Sequence, residues 1–307
     1  MCGICGAMWT KPAKSVSIET LNTMTDILRH RGPDDRGTFY QNWDENHPAG
    51  VALGHRRLSI LDLSPQGRQP MGNEDDTVQA VFNGEIYNYE PLRQELLQKG
   101  HRFKSNTDTE VIVHLYEEDG VDFVKKLNGM FAIAVWDGRK NCLSLYRDRI
   151  GKKPLYYCIK PDRIIFASEL KSILALPDAA AEIDTASVDD YLTYQYVPHP
   201  ATIFKGIFKL EPAHYLVCTA GQPFVPPKPY WQIESEPETA QPFADACEQL
   251  RALVFDAVKI RLRSDVPVGA FLSGGIDSSI TAGVMQKILG EKKVRTFSIG
   301  FGEKEYD

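Results

Sequence analysis

The sequence predicts two successive folds: an α+β front part of two packed sheets with helical layers outside, then the opening of an α/β parallel sheet. Three observations carry that reading. Over the first two-thirds of the 307 residues, short β-rich runs alternate with helical stretches. Prolines 223, 226, 227, 229, 237 and 242 then break up any regular element, as in a linker or inter-domain strap. Behind them comes strand, tight turn, helix and strand, the order that begins a parallel sheet. The length suits two domains of about 100–200 residues each.

The elements follow in order. Residues 77–82 form a β-rich run, Asn83-Gly84 is a hairpin-turn signal, and 85–87 return as a second strand. A helix is expected next, with Asn88 as N-cap, Pro91 in its first turn, Leu92, Leu96 and Leu97 on one side, and Gly100 as its stop. Thr107-Asp108-Thr109-Glu110 fits a capping box before a stripe of Val111, Ile112 and Leu115 that ends near Gly120. The apolar run 130–136 reads as a buried strand, turned by Asp137-Gly138 into 142–146. Residues 155–159 and 164–167 make a hairpin around Pro161-Asp162 that leads into a helix at 169–174. Beyond the strap, Leu250, Leu253, Val254, Ala257, Val258 and Leu262 keep helical spacing. Residues 266–272 read as a strand, Ser273-Gly274-Gly275 as a turn, Ile276–Leu289 as a helix and 294–299 as the next strand.

Composition excludes several classes. Hydrophobic residues at 43% and charged residues at 25% describe a soluble globular protein, and a net charge of -6 argues against nucleic-acid binding. No run approaches the roughly 18 apolar residues of a membrane span, and no secretory signal opens the chain, so a cytoplasmic protein is expected. Six cysteines at 2, 5, 142, 158, 218 and 247 make no dense disulfide framework. Cys2-x-x-Cys5 lacks a second ligand pair for a metal and a preceding strand for thioredoxin-like redox chemistry, so Cys5 reads as a small buried hydrophobe.

Two segments can carry chemistry. A strand, then 273–279, then a helix places backbone N–H groups, Ser273, Ser278, Ser279 and the Asp277 carboxylate around a concavity suited to a phosphate, with Mg²⁺ bridging to the carboxylate. It is not a Walker loop. A cysteine at position 2 becomes N-terminal once Met1 is removed, and an α-amine with a pKa of roughly 7.7–8.0 can take the proton of its own thiol.

Met1-Cys2-Gly3-Ile4, Arg29-His30-Arg31-Gly32-Pro33-Asp34, His55-Arg56-Arg57-Leu58-Ser59-Ile60, Asn83-Gly84-Glu85-Ile86-Tyr87-Asn88 and Thr107-Asp108-Thr109-Glu110 occur in that order. This set resembles the N-terminal-nucleophile glutamine amidotransferases. With 273–279, which is similar to the ATP-pyrophosphatase signature, the chain resembles the glutamine-hydrolysing asparagine synthetase family over its whole length. Further matches are Gly129-Met130-Phe131-Ala132, Arg147-Asp148-Arg149, Lys153-Pro154-Leu155-Tyr156-Tyr157 and Ser168-Glu169.

The resemblance implies a four-layer αββα N-terminal-nucleophile glutaminase over 2–210, a strap over 211–242 and the first part of a synthetase domain over 243–307. It implies that Cys2 attacks the glutamine carboxamide to give a thioester and ammonia, while Asn83 and the Gly84 N–H hold the oxyanion. Arg57 would grip the substrate α-carboxylate, Asp108 the α-ammonium, and Glu85 would orient the amino-acid end; Arg56 is the structural neighbour. Ser273, Gly274, Gly275, Asp277 and Ser278 would hold the pyrophosphate part of ATP and its Mg²⁺, with Leu272 and Ile299 beside the adenine.

The overall reaction implied takes ATP, aspartate and glutamine to AMP, pyrophosphate, asparagine and glutamate, with ammonia passing inside the protein. Two alternatives stand beside it: a different carboxylate acceptor, as in polysaccharide or secondary-metabolite pathways, or a non-catalytic glutamine-sensing module. Ala213, where a glycine often follows Leu-x-Pro, and Tyr146, where a small residue often precedes Arg-Asp, depart from the family pattern. The family's second Mg-pyrophosphate loop lies beyond 307. A homodimer is left open.

Overall fold

The computed structural model describes residues 1–42, 44, 49–179, 181–234, 241–300 and 302. It divides into two compact units, Met1–Ile233 and Glu234–Asp307. Among the described residues no helix is long and apolar enough to cross a membrane.

In chain order the first unit contains β1 (Gly3–Trp9), α1 (Ile18–Asp26), β2 (Asp35–Gln41), β3 (Gly50–Arg57), β4 (Met71–Gly72), β5 (Val78–Ile86), α2 (Tyr89–Gln98) and α3 (Glu110–Asp119). There follow β6 (Gly129–Asp137), β7 (Cys142–Arg147), β8 (Tyr156–Lys160), β9 (Arg163–Ala167), α4 (Leu170–Ile173), α5 (Thr185–Tyr194), β10 (Ile207–Lys209), β11 (His214–Thr219) and β12 (Lys228–Pro229). One antiparallel sheet runs β10-β8-β9-β1-β3-β2 and the other β12-β11-β7-β6-β5-β4. Residues 214–219 and 228–229, within the stretch expected to be a strap, therefore pair into the second sheet.

Side-chain alternation turns the two sheets into four layers. On β1, Ile4 and Met8 join Val51, Leu53, Val81, Ala134 and Trp136 in the core between the sheets. Cys5, Ala7 and Trp9 point the other way, against Leu21, Met24 and Leu28 of the α1 segment and Ile173 of α4. The outer face of the second sheet buries Val78, Ala80, Phe82 and Ile133 against Leu92 and Leu96 of α2 and Val111, Ile112 and Leu115 of α3. The architecture is αββα. Cys5 is fully buried with its thiol against Thr25 Oγ1 at 3.4 Å, and burial pushes that thiol up to about 11. It is an inert core residue.

Three local expectations are corrected. Asn83-Gly84 does not turn a hairpin: both lie inside the nine-residue β5, opposite Ala132 and Phe131 of β6. Glycine is required there by close approach, because a Cβ at Gly84 would stand 2.1 Å from the Met130 carbonyl oxygen. Nor does 107–110 form a capping box. α3 begins at Glu110 without a side-chain cap, and the Glu110 carboxylate instead accepts the N–H groups of Lys104 and Ser105 at 2.6 and 2.7 Å. Asn88 likewise spends its amide on the Lys126 carbonyl and the Asn128 N–H rather than on α2.

Ala213 has φ +59°, in the left-handed region, and is 5% exposed. The conformation costs about 1–2 kcal/mol. Its buried methyl returns about 0.8 kcal/mol and its lower unfolded-state entropy about 0.4–1 kcal/mol relative to glycine. These cancel, so Ala213→Gly should shift stability by less than about 1 kcal/mol in urea denaturation; a larger stabilisation would show that the alanine is held under uncompensated strain.

The second unit contains α6 (Phe243–Ile260), β13 (Gly269–Phe271), α7 (Ile276–Leu289) and β14 (Arg295–Phe297). β13 and β14 pair in parallel, as the βαβ order requires. Met285 and Ala270 are its buried apolar residues among those described, while Phe271, Ile276, Phe297 and Ile299 stand exposed.

Candidate active site

Cys2 precedes β1, and its position is fixed from both sides. Ser168 continues the β9–β1 pairing by accepting the Ile4 N–H on its hydroxyl and donating its own N–H to the Ile4 carbonyl. Arg31 donates Nε to the Cys2 carbonyl at 2.9 Å and Nη1 to Glu169, which also pairs with His30 and Lys171. This clamp holds the Glu169 carboxyl down at about 2 despite partial burial. The Cys2 thiol receives the Leu58 N–H at 3.4 Å and lies 3.7 Å from the Leu58 carbonyl. Burial raises its pKa, only partly offset by the Leu58 hydrogen bond and the nearby Met1 α-amine. That Met1 amine is itself lowered by desolvation.

One small cavity gathers Cys2, Arg57, Gly84, Glu85 and Asp108, four segments apart in sequence, with Leu58, Gln69, Thr107 and Thr109 completing the wall. Arg57 ends β3, is 5% exposed, and donates to the carbonyls of Leu61, Asp62 and Ser64 at 3.0, 2.5 and 3.0 Å. The loop 61–67 thus wraps the guanidinium, and Gly67 lies so close that a Cβ there would meet Nη2 at 1.9 Å. Arg56 points elsewhere, pairing with Asp26. Asp108 accepts the Ile86 N–H at 2.8 Å, and burial, with the Glu85 charge adding, pushes its carboxyl up to about 7. Asn83 is fully buried, and neither its Oδ1 nor its Nδ2 has a hydrogen-bond partner. Such a group is costly unless a ligand completes it.

Sequence reasoning gave no role to three residues that build this pocket. Gln69 joins β5 to the α3 entrance, accepting the Phe82 N–H on Oε1 and donating Nε2 to Thr109. His55 crosses between the sheets to the Phe82 carbonyl at 3.1 Å, and burial drops its pKa to about 3, so it stays neutral and serves as a strut rather than a base. Asp148 accepts four N–H groups from Phe131, Ile150, Lys152 and Lys153, setting Lys153 close enough to Cys2 to feel its charge. The quoted motifs flagged His55, Asp148 and Lys153; nothing local flagged Gln69. A larger cavity of about 430 Å³, lined by Met8, Cys218 and Phe224, contains none of the motif residues.

Gly84→Ala should destabilise the chain by about 1–3 kcal/mol through overpacking against β6 and distort the pocket wall; unchanged denaturation and activity would show that β5 can shift.

In the second unit the loop 272–279 ties itself together. Ser278 Oγ accepts the Ser273 N–H and donates to the Gly275 carbonyl, Ser273 Oγ lies 3.2 Å from Ser278 Oγ, and Gly274 takes φ +80°. Gly275 caps α7 without a side chain, and Asp277 is exposed in the first turn. Leu272 and Ile299 follow the adjacent parallel strands β13 and β14. The geometry joins a helix N-terminus, two hydroxyls and one carboxylate at the C-terminal edge of a parallel sheet, where phosphate-bearing ligands bind.

Comparison with known proteins fits this arrangement. Residues 1–231 match the model of the glutamine amidotransferase domain, and residues 249–307 that of asparagine synthase. The chain is 42% identical over 312 residues to asparagine synthetase (glutamine-hydrolysing) 3 of Bacillus subtilis, covering 99% of this chain and 49% of the relative. It is 38% identical over 302 residues to amidase chry2 of Gibberella zeae, covering 94% of this chain and 43% of the relative. Among solved structures, the glutamine phosphoribosylpyrophosphate amidotransferase of Bacillus subtilis superposes with a TM-score of 0.52 at 16% identity, over 100% of this chain and 68% of that one, which shows a shared fold. The chain spans about half the length of the curated relatives it matches.

Proposed function

Because this chain belongs to the glutamine amidotransferase domain family, we propose that its first unit hydrolyses glutamine with Cys2 and that the second begins an ATP-using synthetase. The observation that carries the proposal is the convergence of Cys2, Arg57, Gly84, Glu85 and Asp108 on one cavity. With Met1 removed, the α-amine and the thiol belong to one residue. The buried thiol is held neutral and His55 is unavailable as a base, so the adjacent amine takes the proton as sulfur attacks the carboxamide. The Asn83 side chain, with no internal partner, and the Gly84 N–H receive the oxyanion; such donors are commonly worth a few kcal/mol each. The protonated amine returns its proton to the departing ammonia. Water then enters by the same base and splits the thioester to glutamate.

Arg57 takes the substrate α-carboxylate with the donors its loop leaves over, Glu85 orients the amino-acid end, and ionised Asp108 takes the α-ammonium. In the second unit Ser273, Gly274, Gly275, Asp277 and Ser278 receive the pyrophosphate portion of ATP, with Leu272 and Ile299 beside the base. The Asp277 carboxylate among hydroxyl and phosphate oxygens is the hard donor set that Mg²⁺ takes, and the ion would neutralise the pyrophosphate as it leaves. We assign the glutaminase to 2–210 together with β11 and β12, which complete its second sheet, the remainder of 211–242 to the strap and 243–307 to the synthetase portion, and aspartate as the acceptor in the whole protein. Asparagine made from aspartate, glutamine and ATP by the full-length protein, at a rate that falls with Asp277→Ala, is the expected result. No amidation of aspartate alongside amidation of another carboxylate would move the chain to the second reading, which the amidase-named relative supports.

A further inference from the structure

We propose that the first unit carries a zinc site, remote from the glutamine pocket, built from His101, His114, Glu74 and Glu117. These four residues come from three segments: Glu74 from the β4–β5 loop, His101 from the α2–α3 connection, and His114 and Glu117 one turn apart on α3. One ligand atom from each lies within 4.8 Å of all the others. The tighter pairs are closer still: His114 Nδ1 to Glu74 at 3.3 Å and to Glu117 at 3.6 Å, and His101 Nδ1 to Glu74 at 3.4 Å and to Glu117 at 3.9 Å. Ligands at zinc distances of about 2.0–2.2 Å in a tetrahedron are separated by about 3.3–3.6 Å, so only small inward movements would close the shell.

Burial separates this cluster from an ordinary surface ion-pair network. The His114 side chain is 1% exposed, neither ring nitrogen makes a hydrogen bond, and Glu117 Oε2 is also buried without a hydrogen-bond partner. A buried imidazole facing carboxylate oxygens at 3.3 and 3.6 Å without an aligned hydrogen bond is costly as it stands and satisfied by a cation between them.

The surroundings complete the case. The far ring nitrogen of each histidine faces its own carboxylate: His101 Nε2 lies 3.3 Å from Glu118, and His114 Nε2 lies 3.8 Å from Glu110. For His101, whose Nε2 hydrogen-bonds Glu118, that is the carboxylate–histidine–metal arrangement that fixes a tautomer with Nδ1 free to ligate. Asn73 donates to Glu117 Oε1 at 2.8 Å, leaving Oε2 toward the histidines, and the Arg102 N–H steadies Glu74. Two imidazoles with two carboxylates suit Zn²⁺ better than Mg²⁺ or Ca²⁺, and four protein ligands describe a closed structural site. Bound zinc would staple the loops around Glu74 and His101 to α3, the helix that follows Asp108.

The test is a calorimetric titration of ZnCl₂ into the chelator-treated 307-residue chain carrying Cys2→Ala, which removes the reactive thiol as a competing ligand. One equivalent should bind, with no displacement by excess Mg²⁺, and zinc X-ray absorption should show nitrogen and oxygen ligands including imidazole. His101→Ala and, separately, Glu117→Gln should weaken binding by at least about 100-fold, and both keep the buried His114 in place should its replacement unfold the chain. Sulfur in the metal's shell, equal affinity in both variants, or no saturable binding would overturn the proposal and leave the cluster a network of ion pairs.

Discussion

Replacing Cys2 by alanine should lower glutamine hydrolysis by at least about 10³-fold while leaving the fold intact. The thiol contributes little to stability: its contacts are the Leu58 N–H at 3.4 Å and the Leu58 carbonyl at 3.7 Å, both with weakly bonding sulfur. The clamp that positions residue 2 acts on its backbone, through Arg31, and survives the substitution. Catalysis, by contrast, loses its only nucleophile. The same loss is expected for wild-type chain that keeps Met1, since the amine then belongs to the wrong residue. A variant hydrolysing glutamine at a substantial fraction of the wild-type rate would remove Cys2 from the mechanism.

The second large effect is expected at Asp108, where function and stability oppose each other. An unfolded aspartate titrates near 3.9, the folded one at about 7, so between these values the folded chain holds the extra proton. Stability therefore falls as pH rises through that window, by a total on the order of 4 kcal/mol at most. Asp108→Asn keeps an oxygen for the Ile86 N–H and removes the charge, so the substrate-free variant should be more stable than wild type above pH about 7 and no more stable near pH about 4. It should also raise KM for glutamine by about 30-fold or more, the cost of leaving a substrate ammonium without its buried anion. In the wild type, KM should fall as pH rises through about 7, because the ammonium requires ionised Asp108. A variant with unaltered KM, or one destabilised at high pH, would contradict this assignment.

What was readable in the sequence, and what was not, follows from the layers. α2, the β6–β7 pair and the β8–β9 hairpin were legible because helix stops, turns and apolar runs there are local. β1 and β3 were not, because strands with both faces buried lose the alternation that marks a strand; β1 is buried at all seven positions and β3 at seven of eight. Asn83-Gly84 looked like a turn because the pair usually is one, yet the packing of β6 against β5 demands a glycine within a strand. The glutamine pocket was accessible only through an ordered set of motifs, since Cys2, Arg57, Gly84 and Asp108 have no common period. Gln69 had no signal at all. The His101–His114 cluster was equally invisible: twelve residues of loop and helix separate its histidines, and only the fold brings Glu74 beside them.

The central claim is that Cys2, as the N-terminal residue, carries glutamine through a thioester. Acid-quenched intact mass spectrometry during turnover tests it most directly. A glutamyl adduct on Cys2, found only in chains lacking Met1 and disappearing as glutamine is exhausted, is the predicted result. Steady hydrolysis with no adduct at any time, or an adduct on chains that still carry Met1, would contradict it.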